Sequence, residues 1–266
     1  MQPIRYLLLP LFTLLLLAAC SDIDEDERLI YVKPAPVGRN VLLEDFTGQR
    51  CVNCPTATSE IEKMLEYYGF GHVIPVSIHS GPFSKSVRGV PYPLHTDVGD
   101  EYYDYWKVES QPMGVIDRMG TCDYNLWGAK VRDELSKTSP IDLQVECNYV
   151  NESRNASITV YVTGNDGNTT GRLQVWLTED GITDFQLMPD GSRNDAYVHN
   201  HVLRCAVNGT WGTDLRVDEA QTLQTTFSQT LDAAWVPENM HVVAFVYNDN
   251  GVCQVNTCTV IPRLEW

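Results

Sequence analysis

Two hydrophobic rhythms divide the chain near Pro140. Upstream, short apolar runs alternate with amphipathic stretches: VLLEDF (41–46), then PTATSEIEKMLEYYG (55–69), then VIPVSIH (73–79), GVID (114–117) and NLWGAKVRDELSK (125–137). In the second of these, Ala57, Ile61, Met64, Leu65 and Tyr68 recur at helical spacing and mark one apolar face. A short unbroken apolar run suits a strand covered on both sides, so this half predicts an α/β layer sheet. Pro75 is awkward there, because a proline cannot donate to a ladder; a bulge or a shifted strand would accommodate it. Downstream the period becomes two. Ile141, Leu143, Val145, Cys147 and Tyr149 alternate with Asp142, Gln144, Glu146 and Asn148, and ITVYV, RLQVWL and HVVAFVY behave alike. Turn signals such as NDGN (165–168) and NDNG (248–251) separate some of these runs, which predicts an antiparallel, immunoglobulin-like β-sandwich.

The first twenty residues carry a different signal. One basic residue, Arg5, precedes an apolar run from Tyr6 to Ala19 that is interrupted by Pro10 and shorter than the ~20 residues a bilayer demands. This reads as a secretory signal peptide. Its end, Leu17-Ala18-Ala19-Cys20, resembles a bacterial lipobox, which implies acylation of Cys20 and a mature chain tied to the lipid bilayer. The run SDIDEDE that follows is a solvated tether; in Bacteroidetes such acidic residues resemble an export signal to the cell surface. The expected organisation is a signal peptide over 1–19, an acidic tether over 20–39, an α/β domain over 40–139 and a β-sandwich over 140–266. About 230 residues after the tether exceed one typical domain. A formal charge of −16 argues against nucleic acid as a partner, since phosphate recognition needs a positive surface. No cofactor is called for.

The chemistry concentrates in EDFTGQRCVNCP (44–55), where Cys51 and Cys54 stand two residues apart between a strand and a helix. A cysteine at a helix N-terminus is stabilised as thiolate, and Arg50 adds a cation next to Cys51. Pro55 suits the first helical turn. His79, at the end of VIPVSIH, is either a proton-shuttling neighbour of that pair or a hydrogen-bonded surface residue. The segment resembles the active-site stretch of the thioredoxin superfamily. That resemblance implies an α/β thioredoxin-like domain in which Cys51 attacks, Cys54 resolves, Asp45 accepts the proton of Cys54, and Pro112, in SQPMGVIDR (110–118), is a cis proline beside the pair. Arg50 replaces the usual tryptophan and Val52-Asn53 the usual Gly-Pro, so the direction of electron flow is left open. Taken whole, VLLEDFTGQRCVNCP, VIPVSIHSG, QPMGVIDR and WLTEDGITDFQ…VHNHVLRCAVNGTWG (176–212) resemble the Bacteroidetes lipoprotein family named for a twenty-eight-kilodalton outer-membrane protein. This implies an outer-membrane lipoprotein, at the cell surface or facing the periplasm.

Other readings of the same residues compete. A structural zinc site needs four ligands, and the only other close pair, Cys253 and Cys258, is far along the chain and an odd number of positions apart, so no metal is expected. His199 and His201 share a strand face if VHNHV is regular, which places them in the β core or at a domain contact. Of eight cysteines, setting aside Cys20, Cys51 and Cys54 leaves Cys122, Cys147, Cys205, Cys253 and Cys258, an odd number whose pairing is open. Two functions follow. One is a thiol–disulfide oxidoreductase acting on a protein thiol or disulfide partner; the other is a non-catalytic surface binding protein or adhesin with a structural disulfide.

Overall fold

The computed structural model describes residues 37–262. The signal peptide, Cys20 and most of the tether lie outside the described residues. A two-residue strand β1 (Val37–Gly38) precedes β2 (Val41–Thr47), which is buried along its whole length. Helix α1 (Cys54–Tyr68) follows, with Pro55 in its first turn and Gly69 at φ 86° ending it, the Gly69 N–H returning to Leu65 O. Its Ala57, Ile61 and Met64 are buried, so the stripe read from the periodicity faces the core. Next come β3 (Val73–His79), helix α2 (Asp97–Tyr105), β4 (Met113–Ile116), β5 (Thr121–Cys122) and helix α3 (Trp127–Leu135). Helix α2 starts where Thr96 accepts a hydrogen bond from Gly99 N and Asp97 and Asp100 sit in the first turn.

From residue 138 onward the described chain is strand and turn, apart from one short 3₁₀ turn over Pro237–Asn239. The strands are β6 (Thr138–Ser139), β7 (Ile141–Val150), β8 (Asn155–Gly164), β9 (Thr169–Glu179), β10 (Ile182–Leu187), β11 (Arg193–His199) and β12 (Val202–Ala206). They continue as β13 (Thr213–Val217), β14 (Thr222–Thr230), β15 (Met240–Asn248) and β16 (Gly251–Thr259).

Strand pairing overturns the expected fold class, a thioredoxin-like α/β domain followed by a separate immunoglobulin-like sandwich. One mixed sheet runs in the order β16-β15-β9-β12-β3-β2-β4-β5, with β13 also beside β9. Strands from both halves of the chain therefore share a single sheet, and the chain is richer in strand than an alternating α/β layer. The reason is local. β3 pairs in parallel with β2 along seven positions, and its other edge takes β12 in parallel at Val202↔Ser77, where Ser77 N donates to His201 O at 2.8 Å. Periodicity says which face a side chain takes, not which strand lies alongside. The same edge resolves Pro75: it sits opposite Leu43 on the β2 side, and the β12 pairing engages Ser77 instead.

A second sheet, β14-β8-β7, lies over one face of the large one. Along β9 and β15 the side chains divide as period two requires: Leu173, Val175, Leu177, Val242, Ala244 and Val246 join the core with β7 and β8, whereas Trp176, Val243 and Phe245 face the core with β2 and β3. β2 divides likewise. Leu42 and Phe46 enter that middle core, and Val41 and Leu43 pack under α1 and α3 against Ile61, Trp127 and Val131. Close approach at α3 is set by Gly114, where an added Cβ would come within 2.2 Å of Trp127 Nε1.

Candidate functional site

Cys51 and Cys54 form a disulfide, and each residue is only 2% exposed. The helix begins at Cys54, after Asn53 in the capping position, rather than at Cys51. Cys51 lies in the preceding turn, its N–H donating to Gly48 O at 2.9 Å. The positive helix end therefore acts first on Cys54, one turn away from where the spacing placed it. Between the sulfurs, Val52 is 40% exposed and Asn53 is exposed, so the turn touches solvent while its disulfide does not. The Arg50 guanidinium is tied to Lys85 O at 3.1 Å, and its backbone N–H to Phe83 O.

Asp45, inside β2, and His79, at the end of β3, share a cavity with Cys54. A cavity of about 40 Å³ is lined by Asp45, Cys54 and His79 together with Tyr197 and His199. Asp45 is 1% exposed and its Oδ1 has no hydrogen-bond partner, so burial alone lifts its carboxyl to about 7. Burial also drives His79 well below the usual imidazole range, with His199, Arg204 and His95 adding to the effect. The His199 ring sits edge-on to His79, centroids 5.2 Å apart, and burial lowers it to about 4 against the pull of the Phe185 carbonyl. Near neutral pH His79 and His199 are thus uncharged and the Asp45 carboxyl is balanced between its forms, in a cavity that Glu62 and His201 also line. Such groups can hold or take a proton beside a leaving thiolate.

Pro112 is buried, and the Gln111–Pro112 peptide is cis. Gln111 Nε2 donates to Thr47 O at 2.7 Å and to Ser80 O at 3.1 Å, so this loop is bound to the C-terminal ends of β2 and β3. The structure thus gathers Asp45, Cys54 and His79 around one cavity. Arg50 and the Pro112 loop are held by their own backbone contacts.

Residues that sequence reasoning missed come from the β10–β11 hairpin. Gln186 Nε2 donates to Cys51 O at 2.8 Å, and Leu187 N donates to Gln49 O at 2.9 Å, which lays the hairpin over the disulfide turn. Tyr197 closes the same cavity from β11. The alternation in ITDFQL and RNDAYVH around Pro189-Asp190-Gly191 signals a hairpin, but nothing in it says what the hairpin covers. His201 lines the same cavity as His199 but lies outside the strand. It follows β11 at φ 58°, and Asp180 Oδ1 and Oδ2 lie 3.2 Å from His201 and His241 respectively. Among the described residues no group of three or more His, Cys, Asp or Glu is arranged to hold a metal. Cys122, Cys147, Cys205, Cys253 and Cys258 are all free thiols.

The fold and site define a β-rich protein with a Cys-x-x-Cys disulfide held under a hairpin, and among its described residues no helix is long and apolar enough to cross a membrane. A family model described as outer membrane protein Omp28 matches residues 99–262, more than half of the chain. The chain belongs to the Omp28 family, whose model is described as that of an outer membrane protein. Among solved structures, HBP35 of Porphyromonas gingivalis is similar at 14% identity and TM-score 0.67, over 85% of this chain and 77% of that one, a likeness of fold alone. A domain of the outer membrane lipoprotein Omp28 from Porphyromonas gingivalis aligns at 25% identity over 47% of this chain and 91% of its own, with TM-score 0.34. No curated protein matches the sequence.

Proposed function

We propose that this outer-membrane lipoprotein exchanges disulfides through Cys51 and Cys54, anchored to lipid by an acylated Cys20 and carried to the cell surface by its acidic tether. The observation that carries the reading is Asp45: a buried carboxyl with an unpartnered Oδ1, lining one cavity with Cys54. A burial that costly is hard to account for as packing. Starting from the disulfide, a partner thiolate attacks Cys51 Sγ, the Cys51–Cys54 bond breaks, and Cys54 leaves as thiolate and takes the proton of Asp45. A second thiolate of the partner then attacks the partner sulfur of the mixed disulfide. The products are a partner disulfide, a Cys51 thiolate, a Cys54 thiol and an ionised Asp45, with two electrons passed from the partner to the cysteine pair and Asp45 reprotonated from solvent; the reverse direction uses the same steps. His79, which lines the same cavity, stays neutral and adds no charge beside Asp45.

A second reading has its own support, the burial of both sulfur-bearing residues under Gln186. In it the disulfide is a lock and the protein binds a surface ligand without chemistry. Replacing Cys54 with Ser in the native envelope separates the two. Exchange predicts mixed disulfides on non-reducing gels that vanish when Cys51 is also replaced. A clean lane, with a wild-type disulfide that resists mild reductant, would leave the lock.

A further inference from the structure

A large groove lies away from the disulfide cavity and is unused by the exchange reading. It encloses about 780 Å³, within the ~300–1,000 Å³ of small-molecule clefts. Tyr105, Trp106, Trp211 and Tyr247 line it, and Tyr105 lies 4.6 Å from Trp211 and 4.9 Å from Trp106 between ring centroids. Such rings normally pack inward. Here Tyr105 is 59% exposed.

Arg118 lines the same groove and is the feature that points to a ligand. It is 8% exposed, stands at φ 58°, and its guanidinium lies 4.3 Å from the Tyr247 ring, 4.8 Å from Phe245 and 5.3 Å from both Tyr102 and Trp176. The rings stabilise the cation through their faces but accept no conventional hydrogen bond. Glu44 Oε1 lies 3.4 Å from Nε, an ion-pair contact, and the Tyr102 and Tyr247 hydroxyls also interact with the guanidinium, yet none of its three nitrogens makes a hydrogen bond of good geometry within the protein. Trp106 Nε1, in the same groove, is also buried without a partner. Buried donors are almost always satisfied, so a cluster of them facing one groove marks where an acceptor belongs.

The missing ligand has to bring oxygen acceptors and an apolar ring face together. A purely apolar molecule would leave the donors unmet. A nucleic acid is disfavoured by the chain's charge of −16 and by Asp249 in the lining. Asn248 and Thr170 add short polar side chains suited to hydroxyls. We propose that this groove binds a carbohydrate, with the rings of Tyr105, Trp211 and Tyr247 taking the C–H faces of sugar rings and Arg118 and Trp106 donating to sugar oxygens.

The test uses the full chain, purified in a detergent without a sugar head group, on a printed array of neutral and acidic oligosaccharides. Expected is retention on a defined set of glycans that drops about tenfold in Tyr105→Ala, the scale of losing one aromatic stack. Trp106→Phe, which keeps the ring and removes the N–H, should weaken binding with near-UV circular dichroism otherwise preserved. Preference for acidic glycans assigns a carboxylate to Arg118, and preference for neutral ones a hydroxyl; both support the site. Retention no greater than that of Tyr105→Ala on every glycan overturns it. So does competition by cyclohexanecarboxylate, an acid with a ring but no hydroxyls, as strong as that of the retained sugars.

Discussion

The disulfide cavity and the aromatic groove each contain a buried ionisable side chain, and the two handle the problem in opposite ways. Asp45 has no charged partner, so its carboxyl rises to about 7 and spends part of its time neutral. Arg118 has no such escape, because a guanidinium keeps its proton in any protein setting. It is instead wrapped in aromatic faces and set beside Glu44, whose own carboxyl burial pushes up while Arg118 opposes. An acid can answer burial by changing its own protonation. A permanent cation needs compensation from the fold or from a ligand. The first arrangement suits proton handling in a closed space of about 40 Å³, and the second suits recognition in a groove of about 780 Å³.

The strongest way to break this contrast is through the packing that the groove relies on. Trp176 is fully buried, donates Nε1–H to Tyr102 Oη at 3.0 Å and lies under Arg118. Trp176→Ala should cost about 3–5 kcal/mol in denaturant unfolding and remove a wall of the cation's cage. If glycan retention survived at wild-type strength in this variant, the cage would have no part in binding.

Asp45→Asn probes the other side. The folded carboxyl titrates near 7 and the unfolded one near 3.8, so between these pH values the native state holds the extra proton. Stability from this group therefore falls as pH rises from about 4 to 7, and the full cost is present above 7. At pH 8 the amide variant should be more stable by about 4 kcal/mol, the penalty fading toward pH 4. Asp117, also raised to about 7 by burial against the pull of Arg39, adds a parallel slope to both proteins, so the wild-type-minus-variant difference isolates Asp45. A difference independent of pH would refute the buried neutral carboxyl. Disulfide exchange should slow in the same variant, the usual conflict between stability and function.

Gln186→Ala sharpens the question of access. It strips the carboxamide from Cys51 O, and the expected loss is about 1–2 kcal/mol of stability, together with several-fold faster reduction of the disulfide by dithiothreitol, followed by thiol labelling. Unchanged reduction would mean that the hairpin does not control entry. The smallest structural effect is expected from Tyr105→Ala: melting should move by no more than about 0.5 kcal/mol equivalent, because the ring is largely exposed, even as groove binding falls.

Much of the local structure was legible. The helical stripe of 55–69, the buried runs of β2 and β3 and the period-two strands β7 and β8 all lie where the apolar spacing put them. The Cys-x-x-Cys pair was legible because its two residues are close in sequence, whereas Asp45 was marked only by the family resemblance. The β10–β11 cover was not, since its contacts with Cys51 and Gln49 span more than 130 residues and use a carboxamide and a backbone N–H that carry no motif. Arg118 stood inside QPMGVIDR without any sign of its role, because its surroundings come from Tyr102, Trp176, Phe245 and Tyr247 on separate elements.

What the sequence determined by itself was the rhythm of each segment, the Cys-x-x-Cys pair and the family, all of which are written in short-range order. Only the tertiary structure decided that β12, β9, β15 and β16 would continue the sheet begun by β2 and β3, which hairpin would close over the disulfide, and which rings would surround Arg118. Side-chain alternation encodes the face a residue turns to the core, whereas the choice of neighbouring strand is made by whichever edges the folded chain leaves unpaired.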